Sequence, residues 1–345
     1  MARTAKPLLA VCRNRQVAIV TTAPIRRRYG AAVRTLLQQA GITPLVISVP
    51  DGERAKTLKW ASRLYDRLLT AKIERGSTLI ALGGGVVGDL TGFVASTYLR
   101  GVAFVQIPTT LVAQVDASIG GKTGVNHPKG KNLIGTFYQP RLVFIDVAML
   151  RTLPKRELIG GMAEVVKYGV IADPVLFEFV ERHASELLDY DMKALEHIVA
   201  RSARIKAGVV SKDERESGLR RILNYGHTLG HAIEAVTGYG RIHHGEAVAI
   251  GMQFAARLSV RLGCCNDEVA RRQRQLLNRL KLQTELHQPA TVRPLLSAMT
   301  LDKKIRKGRV HFILPKKIGQ VIVKPVEFEI IKEVLKDFAH ECEGK

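Results

Sequence analysis

Two textures of hydrophobic patterning divide the chain. In the first part the period alternates. "QVAIVTT" and "PLVISVP" are short β-branched runs, and "RRRYGAAVRTLLQQAG" between them carries helical spacing that closes at Gly41. "TLKWASRLYDRLL" is a second amphipathic stripe, "STLIALGGG" is an apolar run entering a glycine turn, and "VAFVQIPTT" and "RLVFIDV" are further strand-like runs. Strands alternating with helices at this spacing predict a doubly wound, mostly parallel sheet. From "PKRELIGGMAEVVKYGVI" to about Leu286 helical periodicity takes over. Near the end "RVHFILP" and "GQVIVK" flank residues 316–318 as a hairpin, and "VEFEIIKEVLKDFAHE" reads as a closing helix. The expected architecture is an α/β domain over residues 1–151 and a mainly helical one over 152–345, with the boundary near 151–154. Clefts between such domains are where ligands usually sit.

Composition narrows the class. A chain of 345 residues is long for one core, and its 46% hydrophobic content with a mean hydropathy of +0.03 describes a globular protein rather than a disordered one. No apolar stretch reaches the ~18–20 residues of a membrane span. The N-terminal "KPLLAVC" is cut short at Arg13, too soon for a signal-peptide core, so no export is expected. Four cysteines, two of them adjacent (Cys264, Cys265), make neither a disulfide framework nor a paired CxxC motif, which fits a reducing cytoplasm. The net charge of +22 changes the picture, because alone it points to a polyanion. Yet the basic residues are dispersed, with clusters only at "IRRRYG", "RRQRQ" and "DKKIRKGR", and no zinc finger or RNP-type aromatic motif accompanies them. A solvated basic surface plus an anion-binding pocket is the expectation, with neither nucleic acid nor membrane as partner.

Three segments could carry chemistry. In "GGGVVGD", Gly83, Gly85 and Gly88 satisfy G-x-G-x-x-G between a strand and a helix, where backbone N–H groups can approach a pyrophosphate. The match departs from the usual Rossmann fingerprint: it is not on the first strand, and no acidic residue follows about 20 positions later. A glycine turn without a ligand is the plain alternative. "GGKTG" is no P-loop, since position 116 is Asp116 where a glycine is needed, but Lys122 can still serve a phosphate as a point charge. The third segment, "GHTLGHAIEAVTGYGRIHHGEA", holds four of the ten histidines. Arg220, Asn224, His227, His231 and Glu234 are spaced 4, 3, 4 and 3, one stripe on a helix set among Ile222, Leu223, Leu229, Ile233 and Val236. Unpartnered polar groups are costly in such a setting. Metal ligation accounts for them with fewest assumptions: His227, His244 of "HGE", and Glu164 of "GGMAEVVKYG", with Lys167 and Tyr168 a turn along the same face. Two His and a carboxylate with an open position suit catalytic zinc and also Fe(II). Satisfied core histidines and a buried Glu164–Lys167 pair are the plain alternative.

At this point the chain resembles a known family. "PDGERAK", "ALGGGVVGDLTGFVASTYLRG", "IPTTLVAQVDASIGGKTGVN", "GKNLIGTFYQP", "GGMAEVVKYG", "KDERESGLRRILNYGHTLGHAIE", "HHGEAVAIGM" and "DKK" look like 3-dehydroquinate synthase, in order and with its spacing, over roughly residues 16–325. The resemblance implies the dehydroquinate synthase-like fold: a Rossmann-like N-terminal domain and a mainly α-helical metal-binding domain. It also implies a cytoplasmic, homodimeric lyase dependent on NAD and on zinc, for which Co2+ can substitute. Its reaction turns 3-deoxy-D-arabino-heptulosonate 7-phosphate into 3-dehydroquinate and phosphate in the shikimate pathway.

Carried over by position, the resemblance gives zinc to Glu164, His227 and His244. NAD falls to Asp51, Glu53 and Lys56, to Gly85, Val86, Val87, Gly88 and Asp89, and to Thr109, Thr110, Lys122 and Lys131. Met149, Leu150, Arg151 and Thr152 complete that set. Substrate falls to Asp116, Lys122, Asn132, Lys167, Lys206, Arg220, Asn224 and His231. Arg100 would reach the partner subunit's phosphate site, and Lys303 or Lys304 would close over it. His231 would handle a substrate oxygen or proton, and His243 is a bystander. Thr22 stands where many members of the family have Asn. Another sugar-phosphate cyclase, or a metal-dependent polyol dehydrogenase of the same architecture, is the nearest rival. Arg220, Asn224 and His231 together favour the dehydroquinate branch, since neutral polyols need no carboxylate clamp.

Overall fold

A short helix α1 (Lys6–Cys12) packs Leu8 and Cys12 into the core ahead of β1 (Val17–Thr22), all six of whose residues are buried. A strand covered on both faces has to be apolar throughout, and this one is apolar until its two terminal threonines. The chain then runs through α2 (Ala23–Ile25), a π turn (Arg26–Gly30) and α3 (Ala31–Gln38), and Gly41 ends it in the left-handed region at φ +77°. There follow β2 (Leu45–Val49), α4 (Leu58–Thr70), β3 (Thr78–Gly83), α5 (Gly85–Thr97) and β4 (Ala103–Pro108). These coordinates are a computed structural model, which describes residues 5–12, 16–238, 242–286, 292–302 and 309–340. By its contacts the chain falls into two units, Met1–Leu153 and Pro154–Lys345.

In the first unit the sheet order is β2-β1-β3-β4-β7, all parallel, where β7 is Leu142–Val143. "RLVFIDV" thus supplies two strand residues rather than a full strand. One hairpin has no counterpart in the hydrophobic pattern: β5 (Lys122–His127) pairs antiparallel with β6 (Gly130–Phe137) beside the main sheet. Its residues are largely Gly, Lys, Asn and Thr, so no alternating apolar pattern announced it.

The second unit is built around α6 (Lys155–Ala172), buried continuously from Gly160 to Ile171. A helix apolar on all sides belongs inside a core. Around it lie α7 (Pro174–Arg182), α8 (Ala184–Leu188), α9 (Met192–Lys212), a 3-10 turn (Leu219–Asn224), α10 (His227–Thr237) and α11 (His244–Arg261). Next come α12 (Asp267–Arg279), α13 (Val292–Asp302), the hairpin β8 (Arg309–Lys317)–β9 (Gln320–Glu327) and α14 (Phe328–His340). The hairpin turns at Ile318–Gly319, and Gly319 N donates to Val170 O at 3.0 Å, docking its tip on α6. A single apolar cluster joins α10, α11, the hairpin and α14 through Leu229, Phe254, Phe312 and Phe338.

The expected stripe from Arg220 to Glu234 is not one helix. Gly226 sits at φ +80° and separates the 3-10 turn, which carries Arg220 and Asn224, from α10, which carries His227, His231 and Glu234. Only glycine fits here: a Cβ would lie 2.8 Å from Val248 O and 2.9 Å from Met252 N.

Candidate active-site residues

In the first unit the strand order reverses between β1 and β3, and ligands of open α/β sheets bind outside the carboxyl ends of strands at such a point. Register aligns those ends: Thr22 with Val49, and Gly83 with Pro108. Thr22 and Thr109 bring buried hydroxyls there that have no hydrogen-bond partner among the described residues. The N-cap of α5 is Gly84, which has no side chain to accept from the first N–H groups, and such an uncapped helix start suits an anion. A Cβ on Gly85 would come within 3.1 Å of Ala117 Cβ, so the turn depends on the missing side chain. The donors and hydroxyls of this crevice fit a dinucleotide.

The "DGERAK" loop and the β5–β6 hairpin close beside it. Lys56, 5% exposed, holds Asp89 Oδ2 at 2.5 Å and Asn132 Oδ1 at 2.5 Å. Asn126 Nδ2 donates to Glu53 Oε1 at 2.9 Å and its Oδ1 accepts from Asn132 N at 3.0 Å, while Lys131 lies 4.0 Å from Glu53. Sequence reasoning missed Asn126, whose polar setting in a loop-like stretch gave no signal. Asp51 and Lys122 are exposed and Asp116 and Thr110 half-buried. Val87, Met149 and Leu150 are buried in the core. Met149 O already accepts from Tyr29 at 2.8 Å. Arg151 and Thr152 are exposed, with Thr152 O accepting from Arg28. Arg100 follows Leu99, and both hold positive φ, +64° and +48°. Lys303 and Lys304 lie outside the described residues.

In the second unit Glu164, 1% exposed on α6, faces His227 Nε2 at 3.6 Å and His244 Nε2 at 3.5 Å. Two close backbone approaches set this meeting. A Cβ on Gly245 would lie 1.9 Å from Gly160 O, and one on Gly251 would lie 1.9 Å from Gly226 O, so α11 presses directly on α6 and on the start of α10. Glu164 also pairs with the fully buried Lys167, whose ammonium lies over the Tyr168 ring at 5.0 Å. The plain alternative read from the sequence, a buried Glu–Lys pair, is therefore present together with the histidines.

His227 Nδ1 lies 3.0 Å from Tyr225 O, and a carbonyl only accepts, so Nδ1 carries the proton and Nε2 turns a lone pair on the carboxylate. Burial pulls this ring down to about 3, which Glu164 opposes and Lys167 reinforces. For His244 burial again disfavours charge, but hydrogen bonds to Glu164 and Glu234 outweigh it and raise the ring to about 10. One atom each from Glu164, His227 and His244 lies within 4.8 Å of the others, so the three can hold one divalent cation.

His231 is exposed on α10, its ring edge-on to His227 at 5.3 Å. Lys206 is buried on α9, and Arg220 is 1% exposed, its guanidinium donating to Glu214 O. Asn224 Nδ2 donates to Glu216 Oε1 at 2.5 Å. The 3-10 turn and α9 both pack on α6. Asp213, unread from the sequence, sets Arg220: it accepts from Ser217 N (2.9 Å), Gly218 N (2.8 Å) and Arg220 N (2.9 Å). His243 caps α11 with Glu246, its backbone N–H donating to Glu246 Oε2 at 3.0 Å.

Known proteins resemble this chain over most of its length. Residues 46–160 match the 3-dehydroquinate synthase N-terminal family and residues 161–305 the 3-dehydroquinate synthase C-terminal family. The 3-dehydroquinate synthase of Synechocystis sp. is 53% identical over 326 residues, covering 93% of this chain and 90% of that protein. That of Thermodesulfovibrio yellowstonii is 49% identical over 334 residues, covering 97% and 92%. Among solved structures, 2-epi-5-epi-valiolone synthase from Streptomyces hygroscopicus subsp. jinggangensis, with NAD+ and Zn2+ bound, superposes with a TM-score of 0.89 at 29% identity over 97% of this chain and 93% of that one. A 2-deoxy-scyllo-inosose synthase complexed with carbaglucose-6-phosphate, NAD+ and Co2+ gives 0.86 at 28% over 95% and 92%. Glycerol dehydrogenase from Schizosaccharomyces pombe, at 0.71 and 16% identity over 99% and 87%, shares the fold. With both halves matched and half the residues shared over nearly the whole length, the chain belongs to the 3-dehydroquinate synthase family.

Proposed function

We propose that this chain is a homodimeric cytoplasmic enzyme that converts 3-deoxy-D-arabino-heptulosonate 7-phosphate into 3-dehydroquinate and phosphate, holding NAD in the first unit and a zinc ion in the second. The observation that carries this reading is the convergence of Glu164, His227 and His244, each ring with its Nδ1 already engaged, in a chain whose relatives carry that name. The carboxyl-end crevice with Thr22, Thr109 and the open N-terminus of α5 supports the nucleotide site.

The reaction class requires transient oxidation of a secondary alcohol, β-elimination of phosphate, reduction of the ketone and an intramolecular aldol closure. When bound, NAD supplies a reversible hydride acceptor and zinc a Lewis acid. The chain's own residues do the remainder. In the second unit Arg220 and Lys206 are cations suited to a substrate bearing both a carboxylate and a phosphate, and Arg220, fixed at its backbone by Asp213, is the natural bidentate partner. Lys167, buried beside Glu164, can hold or release a proton at Nζ where a substrate hydroxyl meets that carboxylate. Asn224 and His231 offer an amide and an imidazole for neighbouring oxygens. Since the substrate's own phosphate can act as the base for elimination, positioning is the protein's main task.

The test is inorganic phosphate released from the heptulosonate with NAD in small molar amount, before and after chelation. Many phosphates per NAD, activity abolished by the chelator and restored by Zn2+ or Co2+, are expected. Free NADH accumulating one per substrate consumed would instead make the chain a polyol-type dehydrogenase.

A further inference from the structure

Each imidazole of the cation-binding group has two nitrogens, and the fold uses both. His227 is oriented through Nδ1 by a neutral acceptor, the Tyr225 carbonyl at 3.0 Å. His244 is oriented by a charged one: its Nδ1 lies 3.1 Å from Glu234 Oε2 while its Nε2 faces Glu164. Glu234 is 7% exposed and sits on α10 seven residues after His227. One helix therefore delivers a cation-facing ring and also the carboxylate that aims the other ring. The two rings differ in how firmly packing holds them. The His227 side chain is 12% exposed, whereas that of His244, at the first residue of α11, is 38% exposed. The ring less fixed by its neighbours is the one fixed by charge.

Resting on the reading of Glu164, His227 and His244 as a cation site, we propose that Glu234 is a positioning residue for that site. Through the Nδ1–H of His244 it sets the tautomer and the plane of the ring and, as an anion, increases electron donation from Nε2. A rival role exists, because His231, Glu234 and His244 also lie within 4.8 Å of one another and could hold a second cation. That arrangement would need His244 Nδ1 as a ligand, and the same atom cannot both donate a proton to Glu234 and bind a metal.

The experiment titrates zinc-loaded native protein, Glu234→Gln and Glu234→Ala with a chromophoric chelator, counts cation equivalents, and records the visible absorption of the Co2+ forms. Gln keeps an oxygen that accepts from Nδ1–H but loses the charge, and its near-identical shape guards against misfolding. The expected result is one equivalent throughout, zinc affinity lowered about 10–100-fold in Ala, a smaller loss in Gln, and a Co2+ spectrum altered in Ala but close to native in Gln. Native affinity and spectrum in both variants would overturn the proposal and leave the cation site standing. Two equivalents in the native protein, with the second lost in both variants, would make Glu234 a ligand instead. A native protein that binds no cation would remove the underlying reading, and this inference with it.

Discussion

Asp213 holds a turn together with one carboxylate, and the acid range shows it. Backbone N–H groups of Arg220, Gly218 and Ser217 keep its carboxyl well below the usual carboxylate range. A group whose folded pKa lies below its unfolded value of about 4 contributes stability above that pH and loses it as the pH falls further. Asp213→Asn is therefore expected to melt below the native protein at pH 7, with the gap narrowing as the pH drops beneath about 4; a melting series from pH 7 to 2 measures it. Because the same carboxylate sets Arg220, the variant should also raise KM at neutral pH more than it lowers kcat. Glu164, Lys167, His227 and His244 could be found in the sequence because charge is out of place on an apolar helix. Asp213 and Asn126 could not, since a polar residue in a polar stretch is ordinary until its partners are known.

Most helices and most strands of the parallel sheet follow from hydrophobic period, α1 and α13 being unread, and three further features do not. The 220–234 spacing passed for one helix because a 4, 3, 4, 3 count runs on across a break that a single left-handed glycine makes. The β5–β6 hairpin has no apolar alternation to read, and it is held by register and by Asn126 and Asn132. The third is close helix approach, which a glycine hints at without naming its partner. Gly245 has the Gly160 carbonyl at 1.9 Å from where a Cβ would be, whereas Gly208, exposed inside α9, has nothing within 4 Å. Gly245→Ala must push α11 off α6, and since backbone cannot yield as a side chain does, a loss of about 1–3 kcal/mol is expected. His244 is the preceding residue, so zinc affinity should fall as well. Gly208→Ala should stabilise by about 0.5–1 kcal/mol through helix propensity. Denaturant titrations of the two variants check both signs, and a neutral Gly245→Ala would show that the contact does not constrain α11.

For the molecule as a whole, Arg100 is the residue that tests the proposed assembly from identical subunits. Consecutive non-glycine residues in the left-handed region, Leu99 and Arg100, cost about 1–2 kcal/mol each and persist where something requires them. If Arg100 serves a neighbouring subunit, Arg100→Ala should weaken substrate binding while sparing NAD binding and the melting temperature. Mixed with inactive His227→Ala chains, it should recover activity, because each hybrid dimer would hold one complete site. No recovery in a verified hybrid would return Arg100 to its own subunit. The Glu164–Lys167 contact governs a different behaviour at this scale. Lys167 already answers the charge of Glu164 inside α6, so folding of the helical unit need not wait for a metal. Loading then resembles ion exchange on a rigid resin, a divalent ion taking over a carboxylate that an ammonium was minding, unlike a zinc finger, whose chain is unfolded until metal arrives. Stripping the ion should silence the enzyme while its circular dichroism stays unchanged, and a cell short of zinc would keep a standing reserve of folded protein, ready to be charged without new synthesis.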